Sequence, residues 1–222
     1  MGLCPIPTRY LRRIWYNMRF ILNQYKKAFQ FSGRNIMKIF WICTALFLVI
    51  SVIFHYVFLK FPEAAQMILE SFMKVVEEKN IIDSSGNLNV FKLFLNNLQA
   101  SFIAVVLGFM PFMFLQIFVL ISNAAMMGAV SQLTISNNMT LAMLAAGILP
   151  HGIFELFAFF YSASLGVYLC ISFSKKIIGS EASFKSVIIN IARAFILIAV
   201  PLLAVAAVIE TYLTPIIMEL AM

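Results

Sequence analysis

The chain has 222 residues, of which 63% are hydrophobic and 11% charged, with a mean hydropathy of +0.97. Charge occupies about a quarter of a soluble globular domain, so this composition excludes one and indicates an all-α, polytopic membrane protein. The net charge of +7 does not indicate nucleic acid, because Arg9, Arg12, Arg13, Arg19, Lys26, Lys27, Arg34 and Lys38 precede the first apolar span and no acid occurs before Glu63; this is the footprint of a cytoplasmic segment facing anionic lipid.

Residues 8–31 are predicted to form a helix lying on the membrane. Leu11, Ile14, Trp15, Met18, Leu22, Tyr25 and Phe29 recur at three- and four-residue steps, with Arg12, Arg19, Lys26 and Lys27 in other directions. Ser32-Gly33 is expected to end it. Cys4, Cys43 and Cys170 are odd in number and form no metal-type pair, so no disulfide framework is expected, and neither a lipoprotein signal nor a cleaved signal peptide fits the N-terminus. Residues 1–38 are thus read as a basic amphipathic segment and 39–222 as the transmembrane domain.

Residues 39–59 are long enough for a first crossing toward the outside, at about 20 residues per span. His55 near its outer end reads as a headgroup-level histidine. Residues 61–92 hold Glu63, Glu70, Glu77, Glu78 and Asp83 against Lys74, Lys79 and Lys92, which suits the extracytoplasmic side. Pro62 can open a helix whose apolar stripe ends near Asn80, followed by a turn at Asp83–Asn87; the helix reads as a lid or interfacial element.

Residues 90–133 are too long for one span, and Gly108 and Pro111 divide them into 91–109 and 112–133. That division also puts the Lys175-Lys176-Lys185 loop inside, where basic loops belong. Asn96 and Asn97 then sit near the outer start of the second span and Asn123 lies in the third, as residues suited to interhelical hydrogen bonds. A polar external turn, Ser136 to Thr140, comes next.

The run Leu149-Pro150-His151-Gly152-Ile153-Phe154-Glu155-Leu156 organises the rest. Glu155 is the only formally charged residue between Lys92 and Lys175. A carboxylate in hydrocarbon is costly unless paired, wetted or protonated. His151 precedes it by four residues, so a helix places both on one face. Pro150 is expected to kink or break the helix, leaving 141–149 as a half-helix or re-entrant piece and 151–173 as the fourth span, with Gly152 admitting another backbone. Residues 187–212 form the last span, kinked at Pro201, with Arg193 snorkelling or reaching lipid phosphate and Glu210 near the outer end. Five crossings of the plasma membrane leave the N-terminus inside and the C-terminus outside.

The Leu149–Leu156 string, the Asn96-Asn97 pair, the spacing of Asn123 and Gly128, and the Ile209-Glu210 to Thr214-Pro215 ending resemble the stage II sporulation protein M family over about Asn96 to Pro215. The resemblance implies a compact helical membrane domain. In endospore formers the named member joins a membrane complex with two peptidoglycan-degrading partners and supports engulfment, though many members come from organisms that never sporulate.

Asn96, Asn97, Asn123, His151, Glu155 and Glu210 thus make an intramembrane polar cluster, with Pro111 and Pro150 as helix breaks and Gly128 and Gly152 as close-packing points. These polar groups could simply satisfy one another. The leading functional expectation is a non-enzymatic scaffold for membrane or envelope partners that remodel peptidoglycan. Alternatives are a small transporter or channel, dimeric in view of the short chain, and a metal-dependent hydrolase using His151, Glu155 and Glu210. The sequence assigns no cofactor.

Overall fold

The computed structural model describes residues 8–82, 88–136, 140–179 and 183–221. Cys4, the turn at Asp83–Asn87, residues 137–139 of the external turn and 180–182 of the basic loop lie outside the described residues, as do the side chains of Arg9, Leu11, Arg12, Arg13 and Ile14. Among the described residues the fold is all-α, with only an isolated bridge between Ile82 and Leu88. Five helical stretches are long and apolar enough to cross a membrane, the number expected.

Helix α1 (Thr8–Phe31) exposes Trp15, Met18, Leu22 and Phe29 and buries Ala28. It does not end at Ser32-Gly33. Ser32–Ile36 is a π-helical segment that continues into α2 (Met37–Lys60). Tertiary contact overrides the weak helix propensity of Ser-Gly, because Ser32 is buried, donates to the Ala28 carbonyl (2.7 Å) and bonds the Tyr161 hydroxyl. The first apolar stretch is accordingly longer than expected, Trp15–Lys60.

Helix α3 (Pro62–Glu78) carries proline in its first turn and buries Ala65 and Val76. Helix α4 (Val90–Val106) is capped by Asn89, whose side chain accepts from the Lys92 amide (3.0 Å). A 3₁₀ turn, Leu107–Phe109, and an irregular link then make the break expected at Pro111. The link holds Phe112 and Phe114 at φ 65° and 47°, left-handed values unusual for aromatics. It is fastened by the Phe112 amide to Ser174 Oγ (3.0 Å) and by Cys170 Sγ to the Met110 carbonyl (3.3 Å). Helix α5 (Gln116–Ser136) completes the pair.

Helix α6 (Leu141–Ile177) starts at a Thr140 cap and runs unbroken through Pro150. The half-helix expected before His151 does not form, because proline removes one i→i−4 bond and the bonds on either side carry the helix across. The last stretch comprises α7 (Phe184–Ala194), a π segment Phe195–Ala199, α8 (Val200–Val208) opening with Pro201, a second π segment Ile209–Leu213, and α9 (Thr214–Ala221).

Helix α6 is the axis of the bundle. Residues 158–166 are all buried, and 61% of its span is enclosed against at most 39% in the other four, as expected of a helix apolar on every side. Small residues permit the packing: a Cβ on Gly166 would fall on the Ala104 carbonyl oxygen of α4, and one on Gly108 would fall on the Gly166 carbonyl oxygen. Gly128 of α5 meets α2 in the same way, where a Cβ would lie 2.9 Å from both the Ser51 oxygen and the His55 nitrogen. Gly152 does not. A Cβ there would have only Ile148 and Leu156 of its own helix within 4 Å, so the residue admits no other backbone.

Candidate functional site

The polar residues gather at the end of the bundle covered by α3. Helix α6 presents His151 and Glu155 one turn apart, and the π segment Ile209–Leu213 brings Glu210 to them. One ligand atom from each of the three lies within 4.8 Å of the other two. All three are partly buried, and no hydrogen bond or ion pair joins either carboxylate to another described residue. The mutual satisfaction of histidine and glutamate left open by the sequence is therefore not what the side chains do. His151 Nδ1 instead meets Thr214 Oγ1 (3.2 Å).

Glu155 and Glu210 face a cavity of about 260 Å³. Asn96, Asn97 and Ser101 of α4, Asn123 of α5 and Leu203 of α8 line it, and Phe72, Met73 and Val76 of α3 roof it. The roof is fixed by its own chain end. The Ile81 amide bonds the Val76 carbonyl (3.0 Å) and the Asn80 amide bonds the Glu77 carbonyl (2.8 Å), with Asn80 at φ 49°, a Schellman ending whose apolar partners Val76 and Ile81 are both buried. Lys79 ties it to α4 by donating to Asn96 Oδ1 (2.7 Å) and Gln99 Oε1 (3.2 Å).

The asparagines are not equivalent. Asn96 Nδ2 donates to Asn97 Oδ1 (3.4 Å), whereas Asn97 Nδ2 is enclosed and has no partner among the described residues. Asn123 is exposed along the chamber wall and donates to the Val119 carbonyl of its own helix (2.8 Å), so it is not interhelical glue. His151 is outside the chamber lining, beyond the carboxylate pair. Pro150, Gly152 and Pro111 take no part in the chamber, and Gly128 acts in packing against α2 away from it.

Sequence reasoning does not single out Thr214 or Lys79 as site residues. Thr214 is buried, and its hydroxyl donates to the Ile209 carbonyl (3.3 Å) across the π turn. The available signal is its place four residues after Glu210. Arg193, expected to snorkel or reach lipid phosphate and not to pair with a distant acid, has neutral protein partners: its Nε donates to Gln24 of α1 (2.7 Å) and its Nη1 to Asn190 (2.7 Å). His55 faces Ser131 of α5 at 3.2 Å.

Compared with known families, residues 43–215, well over half of the chain, match Stage II sporulation protein M. The chain belongs to the Stage II sporulation protein M family. It is a membrane protein of that family, and the matched residues include every residue that lines the chamber, together with His151 and Thr214. No curated protein and no solved structure matches the chain.

Proposed function

We propose that this Stage II sporulation protein M family member binds a small cationic solute in the chamber beneath α3, as a membrane binding or transport protein of the plasma membrane. One observation carries the reading: Glu155 and Glu210 come from separate elements, face one cavity and form no salt bridge with a cation among the described residues. Two ionised carboxylates within an apolar bundle are strongly unfavourable, and a cationic ligand compensates them where protonation would otherwise be needed. The basic residues of 19–38 and of the 175–185 loop lie toward the other end, which by the positive-inside tendency turns the chamber to the extracytoplasmic side.

The test is a thermal-shift panel of inorganic and organic cations on detergent-purified protein, beside Glu155→Gln with Glu210→Gln. Stabilisation of the wild type by at least one cation, lost in the double variant, is expected. No shift with any cation, and a double variant as stable as the wild type, would overturn the reading.

A second reading rests on an adjoining feature that shares Phe72 and Asn123 with the chamber. An open groove of about 620 Å³ between α3 and α5, lined by Met67, Ile68, Phe72, Val75 and Met126, offers an adaptable apolar seat for a membrane or envelope partner, the scaffold role that the family resemblance suggests. Met126→Trp would then abolish co-purification of that partner while leaving cation binding unchanged.

A further inference from the structure

The cation that fits is a divalent transition metal, and we infer that His151, Glu155 and Glu210 are its protein ligands, with Zn²⁺ the representative ion. This rests on the chamber reading and makes it specific. The donor set is one imidazole and two carboxylates, a combination that suits Zn²⁺ and its neighbours, whereas Mg²⁺ and Ca²⁺ favour all-oxygen sites. Ligand atoms about 2.0–2.2 Å from Zn²⁺ sit roughly 3.3–3.5 Å from one another in tetrahedral geometry. The three atoms here are no more than 4.8 Å apart, so coordination requires them to draw closer.

Three further observations point the same way. Charge is the first: two carboxylates without a salt bridge among the described residues, held inside an apolar bundle, become a neutral group with one divalent ion. The histidine tautomer is the second. The single hydroxyl proton of Thr214 goes to the Ile209 carbonyl, so Thr214 Oγ1 accepts from His151 Nδ1–H, and Nε2 is left with the lone pair. An imidazole fixed through its other nitrogen by a hydrogen-bond partner is the usual setting of a metal-bound histidine. The third is Asn97, which lines the same cavity as both carboxylates and whose enclosed Nδ2 has no partner among the described residues, an unmet donor beside the proposed site. With three protein ligands and a chamber on the carboxylate side, at least one coordination position is left for an exchangeable ligand. Thr214 is a positioning residue here, acting through His151.

The experiment uses the full chain in detergent, purified through a histidine-free tag, stripped with chelator and titrated with Zn²⁺, Mn²⁺, Mg²⁺ and Ca²⁺ by calorimetry, with elemental analysis of the loaded protein. One Zn²⁺ per chain is expected, with Mg²⁺ and Ca²⁺ bound far more weakly. His151→Ala and Glu210→Gln should each weaken Zn²⁺ at least 100-fold, and Thr214→Val 10–100-fold, the range for loss of an orienting partner. Should His151→Ala fail to fold, Co²⁺ loaded into the wild type decides the same question through visible bands characteristic of nitrogen and oxygen ligands. Substoichiometric metal with no visible Co²⁺ spectrum would overturn the assignment, as would full Zn²⁺ binding that survives His151→Ala and Glu210→Gln. If an organic cation still stabilises the wild type in a Glu155-dependent manner, the metal falls and the chamber reading stands; if no cation does, both fall.

Discussion

Ser32 and Tyr161 show how the consequence of a substitution depends on which hydrogen-bond partner is removed. Ser32 gives its proton to the Ala28 carbonyl, so the Tyr161 hydroxyl donates to Ser32 Oγ. Tyr161→Phe leaves Ser32 still donating and should cost about 1 kcal/mol, whereas Ser32→Ala strands the buried tyrosine hydroxyl and should cost about 1–3 kcal/mol. Chemical denaturation of the two variants in detergent decides the order; equal losses would mean that the hydroxyl finds another partner. The glycines divide by the same kind of reasoning. Gly166→Ala puts a methyl group on the Ala104 carbonyl and should lose about 1–3 kcal/mol or fail to fold, while Gly152→Ala meets only side chains of its own helix and should stay within about 0.5 kcal/mol of the wild type. Their melting temperatures settle it. In the sequence both are simply glycines in apolar helices, because what a Cβ would strike depends on a neighbouring element.

At the scale of the element, the end of α3 is legible in the sequence and the π segments are not. The apolar stripe from Ala65 to Val76 and the Asn80 stop are local features, and the Schellman ending realises them. Asn80 holds φ 49°, so Asn80→Gly should keep or raise the melting temperature, whereas Asn80→Val should lower it and speed proteolysis between α3 and α4 by loosening the roof. An equal rate for both variants would show that the roof is held by packing alone. The π segment Ile209–Leu213 inserts one extra residue into the turn, which rotates α9 by about 100° relative to an uninterrupted α-helix. Deleting Tyr212, which is 64% exposed, should restore an α-helix, carry Thr214 away from His151, and shrink the cation-dependent stabilisation of a chain that still folds. Unchanged stabilisation would remove the π segment from the site.

For the whole molecule, five helical stretches are long and apolar enough to cross a membrane, and the topology proposed from the positive-inside tendency puts the two chain ends on opposite faces with the α3 side outward. With Cys4, Cys43 and Cys170 replaced by serine, Lys27→Cys should be labelled only from the cytoplasmic side, and Glu77→Cys and Leu220→Cys only from outside. Labelling of Lys27→Cys and Leu220→Cys from the same side would show an even number of crossings. The arrangement places α6 at the centre and lets α1 dock on α7 through Gln24 and Arg193, so the amphipathic first helix is held against the bundle by protein contacts.

The sequence by itself determined the class, the number of stretches long and apolar enough to span, the break at Pro111 and the polar residues that meet near the chamber, because hydropathy, turn chemistry and a lone carboxylate in an apolar run are local properties. Glu155 is conspicuous for the energy of its burial alone, and His151 for its helical spacing from it. Membrane depth already groups Glu210 with them in the sequence; the tertiary structure supplies the contact itself, since how closely remote segments meet depends on helix packing and on a π turn with no clear sequence mark. It also decided that α6 passes through Pro150 and that Ser32-Gly33 does not end α1. In both cases interactions made by the folded bundle outweigh the local preference of one or two residues.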